Sequence, residues 1–355
     1  MRALDVDPKI VATAAGLRLD IADPVQSISN YCRKRVAKIL KRAAGIQTIW
    51  DVERIVCEHL NLVIHEIWND GELRTLSERY AIEERDPKFA ALDMELEADD
   101  AYGVLYERNT RNEASELQYV AFVDCRGDKA NRRFFTRWHE IAHCLTTFEQ
   151  FELPFRRVSG EDIEKEPLER LMDMIAGELG FWDLLFRPLL MAEVSDGGLS
   201  FTAVESIRSR FCPDASFQAT LNACAARLDY PVVIVEVGMA YKKSERELLD
   251  QLGNRAPKSM RPKPSLRVLR SMPNSAARKM GLLIHKKRRV PESSVIADLY
   301  SAEGTEIFAQ GGENLQTWIA SDGSSLGNFD VLIQAKRIRD RVFAIITLAA
   351  DSNRE

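Results

Sequence analysis

Trp138-His139-Glu140-Ile141-Ala142-His143 contains the pattern His-Glu-x-x-His. On a helix, His139 and His143 stand at i and i+4, one turn apart on the same face, where both imidazoles reach a single zinc ion. Glu140, next to the first histidine, is then placed to hold and deprotonate a water molecule whose pKa zinc brings down to about 7. A five-residue pattern also arises by chance on exposed helices. Its weight here comes from scarcity: the chain has five histidines, and two of them fall at this spacing with the glutamate between them.

Downstream, Pro167 suits the first position of a helix, and Leu168, Leu171, Met172, Ile175 and Leu179 repeat with helical spacing. Glu169 and Asp173 border that apolar stripe at i and i+4, where like charges repel by a few tenths of a kcal/mol unless a cation lies between them. Zinc would be that cation, with Glu169 as its third protein ligand and Asp173 accepting a hydrogen bond from a ligand histidine. The competing reading leaves both carboxylates in solvent, neutralised by Arg170 or Lys165. Glu164, Glu166 and Glu178 are the alternative ligands.

Working outward from the two helices, the pattern predicts helices from Gln26 to Ala44, Thr48 to Leu60 and Ala130 to Phe148. It predicts strands at Leu62 to Ile64, Val104 to Tyr106 and Leu117 to Val123, and a loop or solvated helix across the acidic stretch from Glu83 to Asp100. The strand from Leu117 to Val123 is a candidate for holding a substrate peptide by strand addition, if its edge is free. Tyr106, Tyr119, Arg132 and His65 are candidate oxyanion stabilisers.

Arg133-Phe134-Phe135-Thr136-Arg137-Trp138-His139-Glu140-Ile141-Ala142-His143, with the segment from Glu169 to Glu178, resembles the ImmA/IrrE family of bacterial metallo-endopeptidases. That family shows Arg-Phe-Thr-x-Ala before its His-Glu-x-x-His and Glu-x-x-Ala-Asn/Asp-x-Phe-Ala-x-Glu-Leu on the second helix. Glu169, Asp173, Ala176, Glu178 and Leu179 fit the latter, and the likeness covers about residues 45 to 190. Two positions depart from it: Trp138 stands where a small residue is usual, and Leu179-Gly180-Phe181-Trp182 replaces the Leu-Leu-Met-Pro ending. The resemblance implies a zincin-like fold and cleavage of one or a few proteins, usually a helix-turn-helix repressor, in response to phage, mobile elements or DNA damage.

The expected fold class is therefore α+β. A zinc metallopeptidase domain over 25–195, with a small mixed sheet and active-site helices, follows an N-terminal extension over 1–24. Two short helical patterns over 196–230, around Cys212-Pro213-Asp214, form a helix-turn-helix or simply packing helices. A β-rich sensor domain occupies 231–355, with strands expected at Val232 to Val235, Leu266 to Leu269, Val295 to Tyr300, Glu306 to Ala309, Val331 to Ala335 and Val342 to Leu348. At 45% hydrophobic and 29% charged residues the chain has ordinary globular composition, and 355 residues exceed what one core usually supports. No run approaches the ~18 to 20 apolar residues of a membrane span, and Met1-Arg2-Ala3-Leu4-Asp5-Val6-Asp7 lacks the apolar segment of a signal peptide, so a cytoplasmic protein without a membrane partner is expected.

Six scattered cysteines include no Cys-x-x-Cys pair, which disfavours a disulfide framework. Cys125, at the end of the strand before the metal helix, is the candidate for a thiol that blocks zinc's open position, against the alternative of an inert buried thiol. Cys144, one residue past His143, points about 100° round the helix and should not reach the metal.

Charge is unevenly spread. Residues 251–291 hold twelve Lys or Arg and no Asp or Glu, which leaves the remainder at −17 within a net charge of −5. Arg261, Lys263, Arg267, Arg270, Arg278, Lys279, Lys286, Lys287, Arg288 and Arg289 are the candidate nucleic-acid contacts, with Arg255 and Lys258 in the same run. The expected partner is single-stranded DNA bound through its phosphates, because no aromatic residue in the stretch offers stacking. The competing reading is a solvated loop that balances the acidic N-terminal domain. Two other functions keep parts of this picture: a DNA-binding regulator with the peptidase domain as scaffold, and a metal-dependent hydrolase of small amides. Glu140 speaks against a scaffold, which has no use for it.

Overall fold

The structure, a computed structural model, describes residues 7–98, 101–108, 118–146, 155–158 (backbone only), 166–195, 197–252, 261–302, 307–319 and 323–349. It is α+β, and the chain divides into two compact units, each with its own sheet. Unit 1 comprises Met1–Met191 and Ile207–Thr220; unit 2 comprises Ala192–Ser206 and Leu221–Glu355. The segment 196–230 is thus shared between the two. No helix among the described residues is long and apolar enough to cross a membrane.

Unit 1 opens with helices α1 (Pro8–Gly16), α2 (Pro24–Leu40) and α3 (Ile49–Leu60). Local signals set their ends: Asp7, Asp23 and Thr48 cap the free N–H groups, the last in a reciprocal capping box with Asp51. Asn61, in the left-handed conformation, stops α3 and releases β1 (Leu62–Ile67). Then come α4 (Asp70–Glu78), α5 (Leu92–Glu97), β2 (Ala101–Glu107), β3 (Tyr119–Asp124), α6 (Arg133–Thr146), β4 (Phe155–Val158), α7 (Pro167–Gly180) and α8 (Asp183–Val194).

The sheet order is β1-β3-β2-β4, with β3 parallel to β1 and β2 antiparallel to both β3 and β4. This corrects the expectation of strand addition on β3, because β3 is internal and both its edges are already paired. Of that predicted strand, Leu117 lies outside the described residues. Alternation sorts the two faces. Val104, Tyr106, Val120 and Phe122 join Tyr80, Phe89, Leu92 and Leu96 in one aromatic-rich cluster. The stretch from Glu83 to Asp100 is therefore not simply solvated. Phe89, Leu92 and Leu96 are fully buried and so is Asp86, while Asp99 and Asp100 fall outside the described residues.

The other face receives α6, which begins three residues later than predicted, after a 3-10 turn over Gly127–Arg132. Residues 147 and 148 of that prediction lie outside the described residues. Helix α6 is held from three sides. Arg137 reaches Glu53 of α3 and, at 2.9 Å, Glu66 of β1; Arg133 pairs with Asp214; and Arg35 of α2 donates to the Leu145 carbonyl at 3.1 Å. The returning segment 207–220 is further fixed by Phe211, which packs on Phe181 and Phe186 at ring-centroid distances of 5.8 and 5.0 Å.

Unit 2 draws on α9 (Phe201–Phe211) and α10 (Phe217–Ala226), both shared with unit 1, then β5 (Val232–Ala240), α11 (Lys243–Leu252), β6 (Ser265–Pro273), α12 (Ser275–Met280), α13 (Val295–Ser301), β7 (Phe308–Asn314), β8 (Asp330–Ile338) and β9 (Arg341–Leu348). Its antiparallel sheet runs β6-β5-β9-β8-β7. Val233, Val235 and Val237 alternate onto the face whose core includes Ile296, Leu299 and Trp318. The predicted strand from Val295 to Tyr300 is instead helix α13. Ser294 caps it through the Ile296 N–H, and Glu313 of β7 accepts from both Ser294 Oγ and the Val295 N–H. Glu306 of the predicted strand lies outside the described residues.

Trp138 is fully buried, and a Cβ built on Gly180 would stand 2.9 Å from its ring. The two departures from the family pattern thus meet: the glycine leaves the space that the indole fills. Gly180→Ala is expected to destabilise unit 1 by about 1–3 kcal/mol, the usual cost of overpacking. Adding Trp138→Leu should recover most of the loss, as read from urea unfolding midpoints.

Candidate metal centre

The packing of α7 against α6 decides which polar groups meet. Pro167 starts α7 without an N–H to satisfy, Glu169 stands in its first turn, and Asp173 lies one turn further on. From α6, His139, Glu140 and His143 enter the interior, with exposures of 1%, 0% and 1%. His139 Nε2 lies 3.0 Å from Glu169 Oε2, His143 Nε2 lies 3.4 Å from Glu169 Oε1, and the two Nε2 atoms are 3.1 Å apart. On the far side of its ring, His139 Nδ1 meets Asp173 Oδ1 at 3.0 Å. Among the described residues, His139, His143 and Glu169 are the group whose donor atoms all lie close enough to hold one metal ion.

Charge and burial agree with that use. Burial holds the His143 imidazole below its ordinary value, so it stays neutral and keeps its lone pair for a metal. For Glu169, burial acts to raise the carboxyl, but hydrogen bonds from His139 and His143 outweigh it and leave the group well below the usual carboxylate range. The His143 imidazole and the Glu169 carboxylate are hence in the forms that bind a metal at neutral pH.

The structure brings together the four residues singled out for metal binding and its support, His139, His143, Glu169 and Asp173; Glu140 lies between the two histidines in sequence and is buried. It does not bring Cys125 to them. The Cys125 N–H donates to the Ile67 carbonyl at 2.8 Å, and burial, with Glu66 close by, pushes its thiol up to about 12, where the reactive thiolate is scarce. Cys144 is buried and likewise raised, chiefly by burial. Of the oxyanion candidates, Tyr106 donates to Glu95 at 2.9 Å and His65 meets the Tyr80 hydroxyl at 2.8 Å, both in the aromatic cluster on the sheet face opposite α6. Arg132 covers the Tyr102 ring at 4.4 Å. Glu164 and Lys165 lie outside the described residues, and Glu166 pairs with Lys9.

Sequence reading missed Gly103. On β2 it faces α6, and a Cβ there would stand 2.8 Å from Glu140 Oε1 and 2.6 Å from Thr136 Cγ2. A glycine inside a run of β-formers, Ala101-Tyr102-Gly103-Val104-Leu105, is the available signal, since it marks a close approach of backbone to another group.

The basic residues of unit 2 separate by burial. Lys263, Arg270, Arg278, Lys279, Lys286, Lys287 and Arg289 are exposed, and Arg261 and Arg288 are partly so. Arg270 pairs with Glu236 at 3.7 Å, Arg278 donates to the Pro273 carbonyl, Arg288 to the Ser324 carbonyl and Arg289 to Glu292. Arg267, expected among the surface contacts, is instead buried, with Nη1 donating to the Lys287 carbonyl at 2.9 Å. Arg255 and Lys258 lie outside the described residues. Neither a protein-family model nor a curated protein matches the sequence.

Purified protein should carry about one divalent ion per chain by plasma mass spectrometry, and His139→Ala or Glu169→Ala should abolish that. Asp173→Asn should weaken metal affinity by about 10–100-fold, as loss of a ligand's hydrogen-bond partner does. On acidification, protons should displace the ion only below the ordinary imidazole range of about 6.5, because burial lowers the His143 pKa.

Proposed function

We propose that the chain is a zinc-dependent endopeptidase of zincin-like fold, akin to the ImmA/IrrE family, with a helix-turn-helix repressor as its protein substrate. The observation that carries this reading is the convergence of His139, His143 and Glu169 on one point, with buried Glu140 next to His139 in the chain. Four-coordinate zinc with bonds of about 2.0–2.1 Å needs ligand atoms about 3.3–3.4 Å apart. The two Nε2 atoms are 3.1 Å apart, and each lies near a different Glu169 oxygen, His139 at 3.0 Å from Oε2 and His143 at 3.4 Å from Oε1, spacings of that order. The nitrogen and carboxylate donor set suits zinc as well.

When bound, zinc supplies Lewis acidity that acidifies water and polarises a carbonyl. The protein's own groups do the rest. Asp173 accepts the Nδ1 proton of His139 and so fixes the tautomer that aims Nε2 at the ion. Glu140 takes a proton from the attacking water as the new C–O bond forms. It gives that proton to the amide nitrogen as the C–N bond breaks, so the carboxylate is restored. Gly103 leaves the Glu140 carboxylate room to hold that position.

In this reading unit 2 is a sensor that licenses the peptidase, with single-stranded DNA as its signal. Support comes from the segregated charge of 251–291 and the exposure of most of its described Lys and Arg side chains.

The test mixes zinc-loaded protein with the helix-turn-helix repressor encoded nearest to it, with and without short single-stranded DNA, and reads products by mass spectrometry. A single cut, enhanced by DNA, is expected. Glu140→Gln should keep zinc yet lose about 10²–10⁴-fold in rate, the share of general acid–base catalysis. Gly103→Ala should also keep zinc and lose up to about 10²-fold through displacement of Glu140. Cleavage that survives Glu140→Gln would overturn the assignment.

A further inference from the structure

A cavity of about 470 Å³ in unit 2 is lined by Lys242, Lys263, Arg267, Lys287 and Arg289, with Glu245 the one carboxylate on its wall. Three separate stretches of chain deliver these cations: the residue just before α11, the entry and first residues of β6, and the segment after Ile284. That last segment is locked in place by backbone bonds to β6: Lys287 N to Val268 O at 2.7 Å, Val268 N to Arg288 O at 2.9 Å, and Val290 N to Leu266 O at 3.0 Å. Lys287 itself adopts a left-handed backbone, φ 69°.

Glu245 does little to offset five positive charges. Its Oε2 accepts from the Lys242 N–H at 2.6 Å, and its Oε1 lies 3.9 Å from Arg267 Nη2. Arg289 also reaches Glu292, at 2.8 Å, with both side chains in solvent. The Arg267 side chain is only 5% exposed, and its Nε has no hydrogen-bond partner among the described residues. Its Nη1 donates to the Lys287 carbonyl at 2.9 Å, so the open Nε and the excess of cations on the wall leave the buried guanidinium with capacity for a further anion.

We propose that this cavity is a binding site for a phosphate monoester, with Arg267 as its inner cation and Lys263, Lys287 and Arg289 as its rim. Its volume is that of a small-molecule pocket, about 300–1,000 Å³. No aromatic or histidine side chain lines it, so it reads the phosphoryl group and not the base. A dianionic terminal phosphate fits such a recess better than the single charge of an internal diester, because paired charges and hydrogen bonds multiply. Two sources carry this chemistry: a free nucleoside monophosphate and the 5′-phosphorylated end of a DNA strand. The site stands whether or not the chain is a peptidase, because its test reads binding and not cleavage.

The full-length protein is titrated calorimetrically with dAMP, with a short 5′-phosphorylated oligothymidylate and with its 5′-hydroxyl counterpart. The phosphorylated strand should bind at least about tenfold more tightly than the hydroxyl one, with affinity falling as salt rises. Lys263→Ser combined with Lys287→Ser and Arg289→Ser, all exposed positions, should remove that preference without changing the thermal unfolding midpoint. Arg267→Met should do the same, and the exposed-site variant decides the matter if Arg267→Met fails to fold. Binding of dAMP as tight as that of the strand assigns the site to free nucleotides, and much weaker dAMP binding assigns it to strand ends. Equal binding of both strands together with no binding of dAMP, or a preference that survives the triple substitution, would overturn the proposal.

Discussion

Two imidazoles and two carboxylates share the small space between α6 and α7, and that meeting is the constraint on which unit 1 depends. Buried polar groups must find partners or cost several kcal/mol. Here each helix supplies what the other lacks: Glu169 meets both Nε2 atoms and Asp173 meets Nδ1 of His139. The site therefore requires a fixed register between the helices. Helix α6 is itself held in place by Arg137, Arg133 and Arg35, which tie it to α3 and β1, to the 207–220 segment and to α2 respectively.

The pair Trp138 and Gly180 serves the same register by packing. A bulky ring on α6 is accommodated where α7 ends without a side chain, so the interface keeps its spacing although neither residue has the size usual at its position in the resembled family. The indole Nε1 lacks a hydrogen-bond partner among the described residues. Shape, and not a polar contact, is what retains the tryptophan.

The donor set was legible because its logic is local: i and i+4 spacing on α6, and Pro167, Glu169 and Asp173 on α7, are set within single helices. The α+β class was legible for the same reason, from switches between alternating and helical periods. What escaped reading depends on partners far along the chain. Val295 to Tyr300 is a short apolar run that fits strand or helix equally, and Glu313, on a later strand, helps to settle it. Gly103 matters only once β2 lies under α6. Arg267 looks like any other residue of a basic stretch until the Lys287 carbonyl folds back upon it. Cys125 has the right place in sequence for a metal-blocking thiol, but it neighbours Glu66 and lies outside the metal group.

Unit 1 is discontinuous in sequence: it leaves at Met191 and regains Ile207–Thr220, which carries Asp214 to Arg133 and Phe211 to Phe181 and Phe186. During synthesis α6 and α7 emerge early, yet unit 1 is incomplete until Thr220 has left the ribosome. By then Ala192–Ser206, which belongs to unit 2, is already spooled out between the two parts. A chain terminated anywhere between them would hold His139, His143, Glu169 and Asp173 and still lack part of unit 1. Completion of the fold around His139, His143 and Glu169 in this way waits on chain that lies well beyond them.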